Sequence, residues 1–159
     1  MYSGMRARRC WRHWGDRLAA SPATPGLSLA NAIQLNAGGL GVQGANNLTL
    51  AGVISGPGAL DKSGAGVLTL NGANAHLGGV RLGGGSLALG SNSALGLGDL
   101  VVYGASSLQP GSATSLSNNI VLNADLALAN ASALTLSGAL SGGSALVKSG
   151  AGVLTLTGA

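Results

Sequence analysis

The stretch LTLAGVISGPGALDKSGAGVLTLNGA (48–73) recurs as LTLSGALSGGSALVKSGAGVLTLTGA (134–159), with 19 of 26 positions identical at an offset of 86. Upstream, SLANAIQLNA (28–37) recurs as SLSNNIVLNA (115–124), with seven of ten identical at an offset of 87. A one-residue deletion reconciles the two offsets. Repetition at a fixed spacing is the mark of architectures that stack one unit on the next. The long unit spans 28–114, and the second copy, 115–159, is cut at Ala159. The chain therefore reads as a stretch of something longer.

A shorter beat runs inside the long unit. Leucines recur at Leu29, Leu48, Leu68 and Leu87, in steps of 19, 20 and 19, and a step of 29 then reaches Leu116. In the second copy Leu116, Leu134 and Leu154 are 18 and 20 apart. Segments such as Leu68-Thr69-Leu70 and Leu134-Thr135-Leu136 alternate apolar with small polar residues between glycines, which is the pattern of a short half-buried strand. Glycine costs about 1 kcal/mol at a helix-interior site, and few long stretches escape it here. The spacing predicts an all-β chain: a right-handed parallel β-helix of about six rungs, each of roughly 20 residues. Gly52, Gly56, Gly64, Gly66 and Gly72 are the expected corners, where positive φ is needed. The long step contains GSNSALGLGD (90–99), which reads as a loop or an added corner.

Composition agrees with a narrow aliphatic tube. The chain is 46% hydrophobic and 8% charged, with 29 Gly and no Phe. So little charge excludes a disordered polyelectrolyte and a coiled coil. No window of about 18 residues stays apolar, which excludes a membrane-spanning helix. The glycines keep no three-residue period, which excludes collagen, and a single Cys excludes an internal disulfide framework. The formal charge of +4 lies wholly in residues 1–26, where Arg6, Arg8, Arg9, Arg12 and Arg17 face Asp16. Residues 27–159 are balanced, with Lys62, Arg81 and Lys148 against Asp61, Asp99 and Asp125. The leader (1–26) lacks the apolar run of about 7–15 residues that a secretory signal needs. It is expected to be unstructured or a misassigned start, in preference to a basic amphipathic patch for lipid or nucleic acid.

The repeated residues carry a family resemblance. GALDKSGAGVLTLNGAN (58–74) resembles the autotransporter-associated β-strand repeat of type V secreted passengers of Gram-negative bacteria. Leu60, Lys62, Gly64, Gly66, Leu68, Leu70, Gly72 and Asn74 fit its glycine-led Leu-x-Lys-x-Gly-x-Gly-x-Leu-x-Leu-x-Gly-x-Asn form. Gly78, Gly79, Gly85 and Leu87 fit the segment that follows. His76 departs from it, standing where the family carries an aromatic expected to make an outward contact. Leu146, Lys148, Gly150, Gly152, Leu154, Leu156 and Gly158 match the same form a second time. NSALGLGDLVV (92–102) is also similar to a common passenger segment. The resemblance implies that 27–159 is part of a β-helical passenger exposed at the cell surface or secreted. It further implies a parent with a signal sequence and an outer-membrane β-barrel translocator as partner, and outward folding during export.

Candidate chemistry is sparse. Gly39-Leu40-Gly41-Val42-Gln43-Gly44 satisfies G-x-G-x-x-G, but a dinucleotide site needs a helix next, and a strand pattern follows. Gly96-Leu97-Gly98-Asp99 stands alone, one residue short of a calcium-binding roll motif. A catalytic His76–Asp99–Ser arrangement has only one histidine beyond the leader to draw on. Asp61, Asp99 and Asp125 are unevenly spaced, at intervals of 38 and 26, which does not stack them as paired carboxylates. Asn47-Leu48-Thr49 and Asn130-Ala131-Ser132 match the glycosylation acceptor, although asparagines such as Asn31, Asn36, Asn118 and Asn123 suit turns and amide ladders better. The expectation is a non-catalytic stalk or adhesin-like segment with no cofactor, no metal and no nucleic-acid partner, contacting host or bacterial surface molecules through the whole passenger. The alternatives are a nonfunctional remnant of a disrupted passenger gene and part of a β-helix enzyme acting on polysaccharide.

Overall fold

The computed structural model describes residues 17–19 and 26–158. Apart from the strand Arg17–Ala19, the basic leader lies outside the described residues, as does the expectation that it is unstructured. The described chain is all-β with no helix, and every strand pair is parallel. It winds as a β-solenoid of about six turns with three faces, as the repeat spacing predicts.

The first face stacks Arg17–Ala19, Leu40–Gln43, Leu60–Lys62, Val80–Leu82, Leu100–Val102, Ile120–Leu122 and Leu140–Gly142. From Leu40 onward its register advances by one constant step, so that Leu40, Leu60, Val80, Leu100, Ile120 and Leu140 form one inward column. The second face stacks Leu27–Leu29, Leu48–Leu50, Val67–Leu70, Gly85–Leu89, Ser106–Pro110, Leu126–Ala129 and Leu146–Ser149. The third face pairs Ile33–Gln34 with Ile54–Ser55, and later Thr114–Leu116 with Leu134–Leu136 and Leu154–Leu156. Residues 75–77 and 97 bridge the gap on that face, since Ala75 N donates to Ile54 O, Leu77 N to Gly56 O and Leu97 N to His76 O.

Alternation along each short strand sends every second side chain into the tube. Leu68 and Leu70 are fully buried while Thr69 between them is partly exposed, and Val80 and Leu82 are buried around exposed Arg81. Like residues then stack at the parallel-strand spacing of about 4.8 Å. In the second face Leu27, Leu48, Leu68, Leu87, Leu108 and Leu128 form one such column, with Lys148 next in line. A column of Leu or Val needs no aromatic to fill it, which accounts for a core without Phe.

Two expectations are corrected. The long step from Leu87 to Leu116 is not an extended turn. The second-face partner of Leu87 is Leu108, while Leu116 lies on the third face and pairs with Leu136. Leu108 is hidden in sequence because Pro110 stands where the second leucine of its pair would be, in register with Leu89. Residues 90–99 form a loop of turns and bends, as expected, but add no corner: Val80 and Leu100 keep the usual step, and Ala94 and Leu95 are buried on the third-face part of the rung.

The second finding concerns the long repeat. Four whole rungs carry Leu40 to Ile120, and the repeat offset is longer than that, so the second copy is displaced by one face. Leu60–Lys62 lies on the first face, yet its counterpart Leu146–Ser149 lies on the second. Likewise Leu48–Leu50 is on the second face and Leu134–Leu136 on the third. Identical sequence therefore serves different faces, because all three require the same short inward-outward alternation followed by a glycine corner.

Candidate functional site

Polar side chains inside an aliphatic tube are the first places to look for function, since each buried polar group needs a partner. Lys62 continues the inward column of Val42, Leu82, Val102 and Leu122 on the first face, and only 2% of it is exposed. Its Nζ turns into the adjoining corner and donates to the carbonyls of Gly64 at 2.8 Å, Gly84 at 3.1 Å and Ser63 at 3.4 Å. Three carbonyls thus take up the three ammonium donors across two rungs. Burial holds the Lys62 pKa below its ordinary value. Gly85, at φ +68°, completes the corner, because a Cβ there would sit 2.9 Å from Lys62 Nζ and strike the carbonyl oxygen of Gly64. Lys148 repeats the local bond, donating to Gly150 O at 2.9 Å, but is exposed. The Lys-x-Gly element of the repeat therefore acts as a corner clamp.

Asn74 plays the matching part on the third face. Its Oδ1 accepts from Ile54 N at 2.8 Å on the rung before, and its Nδ2 donates to Ala94 O at 2.7 Å on the rung after. One side-chain amide thereby supplies ladder bonds where the third face has no regular strand. Asn118 acts similarly, donating to Gly96 O at 3.0 Å and Gly98 O at 2.7 Å.

His76 is fully buried, and neither Nδ1 nor Nε2 has a partner of hydrogen-bonding geometry. The ring points into the tube, so the outward contact of the family's aromatic has no counterpart at this position. Gly56 and Gly96 occupy the equivalent positions of the rungs on either side, and the missing side chain of Gly96 leaves the room that the imidazole fills. A Cβ on Gly96, at φ +71°, would lie 2.7 Å from His76 Cε1 and Nδ1. Burial lowers the His76 pKa, and the nearby backbone of Gly79 and Ile54 offsets part of that effect.

The residues weighed for catalysis are not brought together. His76 faces inward, whereas Asp99 is exposed and accepts from Asn119 Nδ2 at 3.1 Å. Asp61 accepts from Tyr103 Oη at 2.7 Å, and Asp125 accepts from Ala145 N at 2.9 Å. Among the described residues, no group of three His, Cys, Asp or Glu is placed to hold a metal ion. Residues Gly39 to Gly44 run along a strand and its corner, and the next element is the strand Leu48–Leu50, not the helix a dinucleotide would require. Of the two glycosylation patterns, Asn130 is fully buried and donates to Ser132 O and Val153 O, while Asn47 accepts from Val67 N.

One outer group escapes the sequence reading. Asp61, Arg81 and Tyr103 lie on three successive rungs of the first face, with Asp61 and Arg81 in register. The Tyr103 phenol crosses Gly83 to reach Asp61, and Gly83 leaves the room, since a Cβ there would lie 2.5 Å from Cζ. Partial burial and the hydrogen bond to Asp61 raise the Tyr103 pKa to about 12 against an opposing effect of Arg81. A signal for the group does exist: with the sequence written one rung per row, Asp61 and Arg81 share a column and Tyr103 stands two columns on in the next row.

Fold and site together define a parallel β-solenoid in which a Lys-x-Gly element clamps one corner at Lys62 and recurs, exposed, at Lys148. The model of the passenger-associated-transport-repeat family matches residues 60–93 and 146–159. The chain thus carries that repeat twice, consistent with an autotransporter passenger built of β-strand repeats. No curated protein and no solved structure matches the chain. The first match takes in Lys62, Asn74, His76 and Arg81, and the second takes in Lys148 and the strand Leu154–Leu156.

Proposed function

We propose that the chain is a non-catalytic, surface-presenting segment of an autotransporter passenger, a stalk that holds more variable regions away from the cell. The observation that carries this reading is the coincidence of two transport-repeat matches with one unbroken stack of equal rungs. The work of such a segment is mechanical. Rung-to-rung hydrogen bonds run along the axis, and the aliphatic columns give each rung an apolar surface on which the next can form. Its partners in this reading are the parent's outer-membrane translocator and molecules met at the surface. A solenoid in which each rung rests only on its neighbours can form progressively from one end, which suits a chain that emerges through a pore.

The test is to place the chain between a signal sequence and a β-barrel translocator in a Gram-negative host. The expected result is an epitope tag reachable by antibody on intact cells, with 26–158 resistant to added protease. Retention in the periplasm with degradation of 26–158 would refute the proposal.

A further inference from the structure

Six charged side chains lie in residues 26–158, and five of them are hydrogen-bonded: Lys62, Lys148, Asp61, Asp99 and Asp125. Arg81 is the exception. It is exposed on the outer first face, and its guanidinium makes no hydrogen bond among the described residues although Asp61 is its register neighbour. The carboxylate of Asp61 is instead engaged by Tyr103. Tyr103, the one aromatic residue beyond the leader, remains 47% exposed while its phenol end is pinned on Gly83. One rung further along the same column as Tyr103 stands Asn123, exposed and with no side-chain hydrogen bond among the described residues. A flat ring held in place, a cation with unused donors and a vacant amide thus form a strip about 10 Å long over three rungs at the usual spacing.

From this geometry we infer a binding site for an acidic oligosaccharide, with a sugar ring resting on Tyr103, its carboxylate on Arg81 and a hydroxyl on Asn123. An immobilised aromatic offers apolar area at little entropic cost, and one cation suits one carboxylate in bidentate geometry. A nucleic acid would require several phosphate-neutralising cations, and this face has one. Gly83 is the positioning residue, because only hydrogen there lets the ring lie against the face. The site does not depend on surface display, so binding in solution and export can fail separately.

The test titrates the full chain with trigalacturonate, following backbone amides and the Arg81 Nε–H by NMR. The controls are the methyl-esterified trisaccharide, which keeps the sugar and loses the charge, and inorganic sulfate. Shifts are expected at Arg81, Gly83, Tyr103 and Asn123, with weaker binding of the ester and no binding of sulfate at this strip. Tyr103→Ala is expected to weaken binding about three- to tenfold, the range of an aromatic stacking contact, and Tyr103→Phe to retain most of it. Arg81→Gln, which breaks no bond within the fold, is expected to make acid and ester bind alike. Shifts confined to the arginines of the leader, equal binding of sulfate, or affinity unmoved by Arg81→Gln would overturn the assignment.

Discussion

His76 makes the solenoid sensitive to mild acid, and the size of the effect follows from linkage. The ring is fully buried against Gly96, and burial lowers its pKa. The folded state therefore favours neutral imidazole, while the unfolded chain takes up a proton near the ordinary histidine value of about 6.5. Stability from this group is complete above that value and is lost as pH falls, because the unfolded state then binds more protons. Each pH unit between the unfolded and the depressed folded value removes about 1.4 kcal/mol. Lowering the pH from 7.5 to 5.5 should thus remove up to about 1.4 kcal/mol, out of the roughly 5–15 kcal/mol typical of a folded domain. For a chain of this size that is a fall of roughly 3–6 °C in Tm. The other titratable side chain described inside the tube, Lys62, has its ammonium engaged by carbonyls and is common to both proteins compared below. In His76→Phe the slot is filled, the orphaned nitrogens are gone, and stability at pH 7.5 should be equal or higher. Urea unfolding followed by circular dichroism, run on both proteins at the two pH values, isolates the effect, since His13 is common to both. Equal pH sensitivity in the two proteins would refute the placement of His76 inside the tube.

The corner clamp predicts an asymmetry between two lysines of identical motif. Lys62→Met strips Gly64 and Gly84 of a buried donor and should cost about 1–3 kcal/mol, whereas Lys148→Met should stay within about 0.5 kcal/mol in the same denaturation experiment. Gly96→Ala meets the His76 ring at a positive φ and should cost about 2 kcal/mol or more, while Gly143→Ala has nothing within 4 Å and should be nearly neutral. Spectrophotometric titration at high pH should find Tyr103 ionising near 12, and Gly83→Ala, by lifting the phenol off Asp61, should bring that ionisation down.

Much of the fold is legible in the sequence because one requirement is repeated. Leu48-Thr49-Leu50 and Leu68-Thr69-Leu70 announce strands in adjacent rungs, and they are paired in that register. The first-face column Leu40, Leu60, Val80, Leu100, Ile120 and Leu140 keeps one constant step without a break. It is less visible than the Leu-x-Leu pairs because its members vary and Lys62 interrupts the neighbouring column. A lysine reads as a surface residue until its corner carbonyls are seen. The same holds for His76, whose inward ring needs the glycine one rung on, at Gly96. The displacement of the second copy by one face is hidden for a different reason: sequence similarity reports the local alternation and corner, and says nothing of which face they occupy. Asp61, Arg81 and Tyr103 can be assembled only once the rung length is known.

The central claim is that the first face is a ladder of parallel strands, with Asp61, Arg81, Val101, Val121 and Ser141 as successive neighbours. NOE spectroscopy on labelled protein measures this directly along that row. Parallel-strand contacts between each residue and those one rung away are the predicted result. Contacts between hairpin-related segments, or the sequential pattern of a helix across these residues, would contradict it.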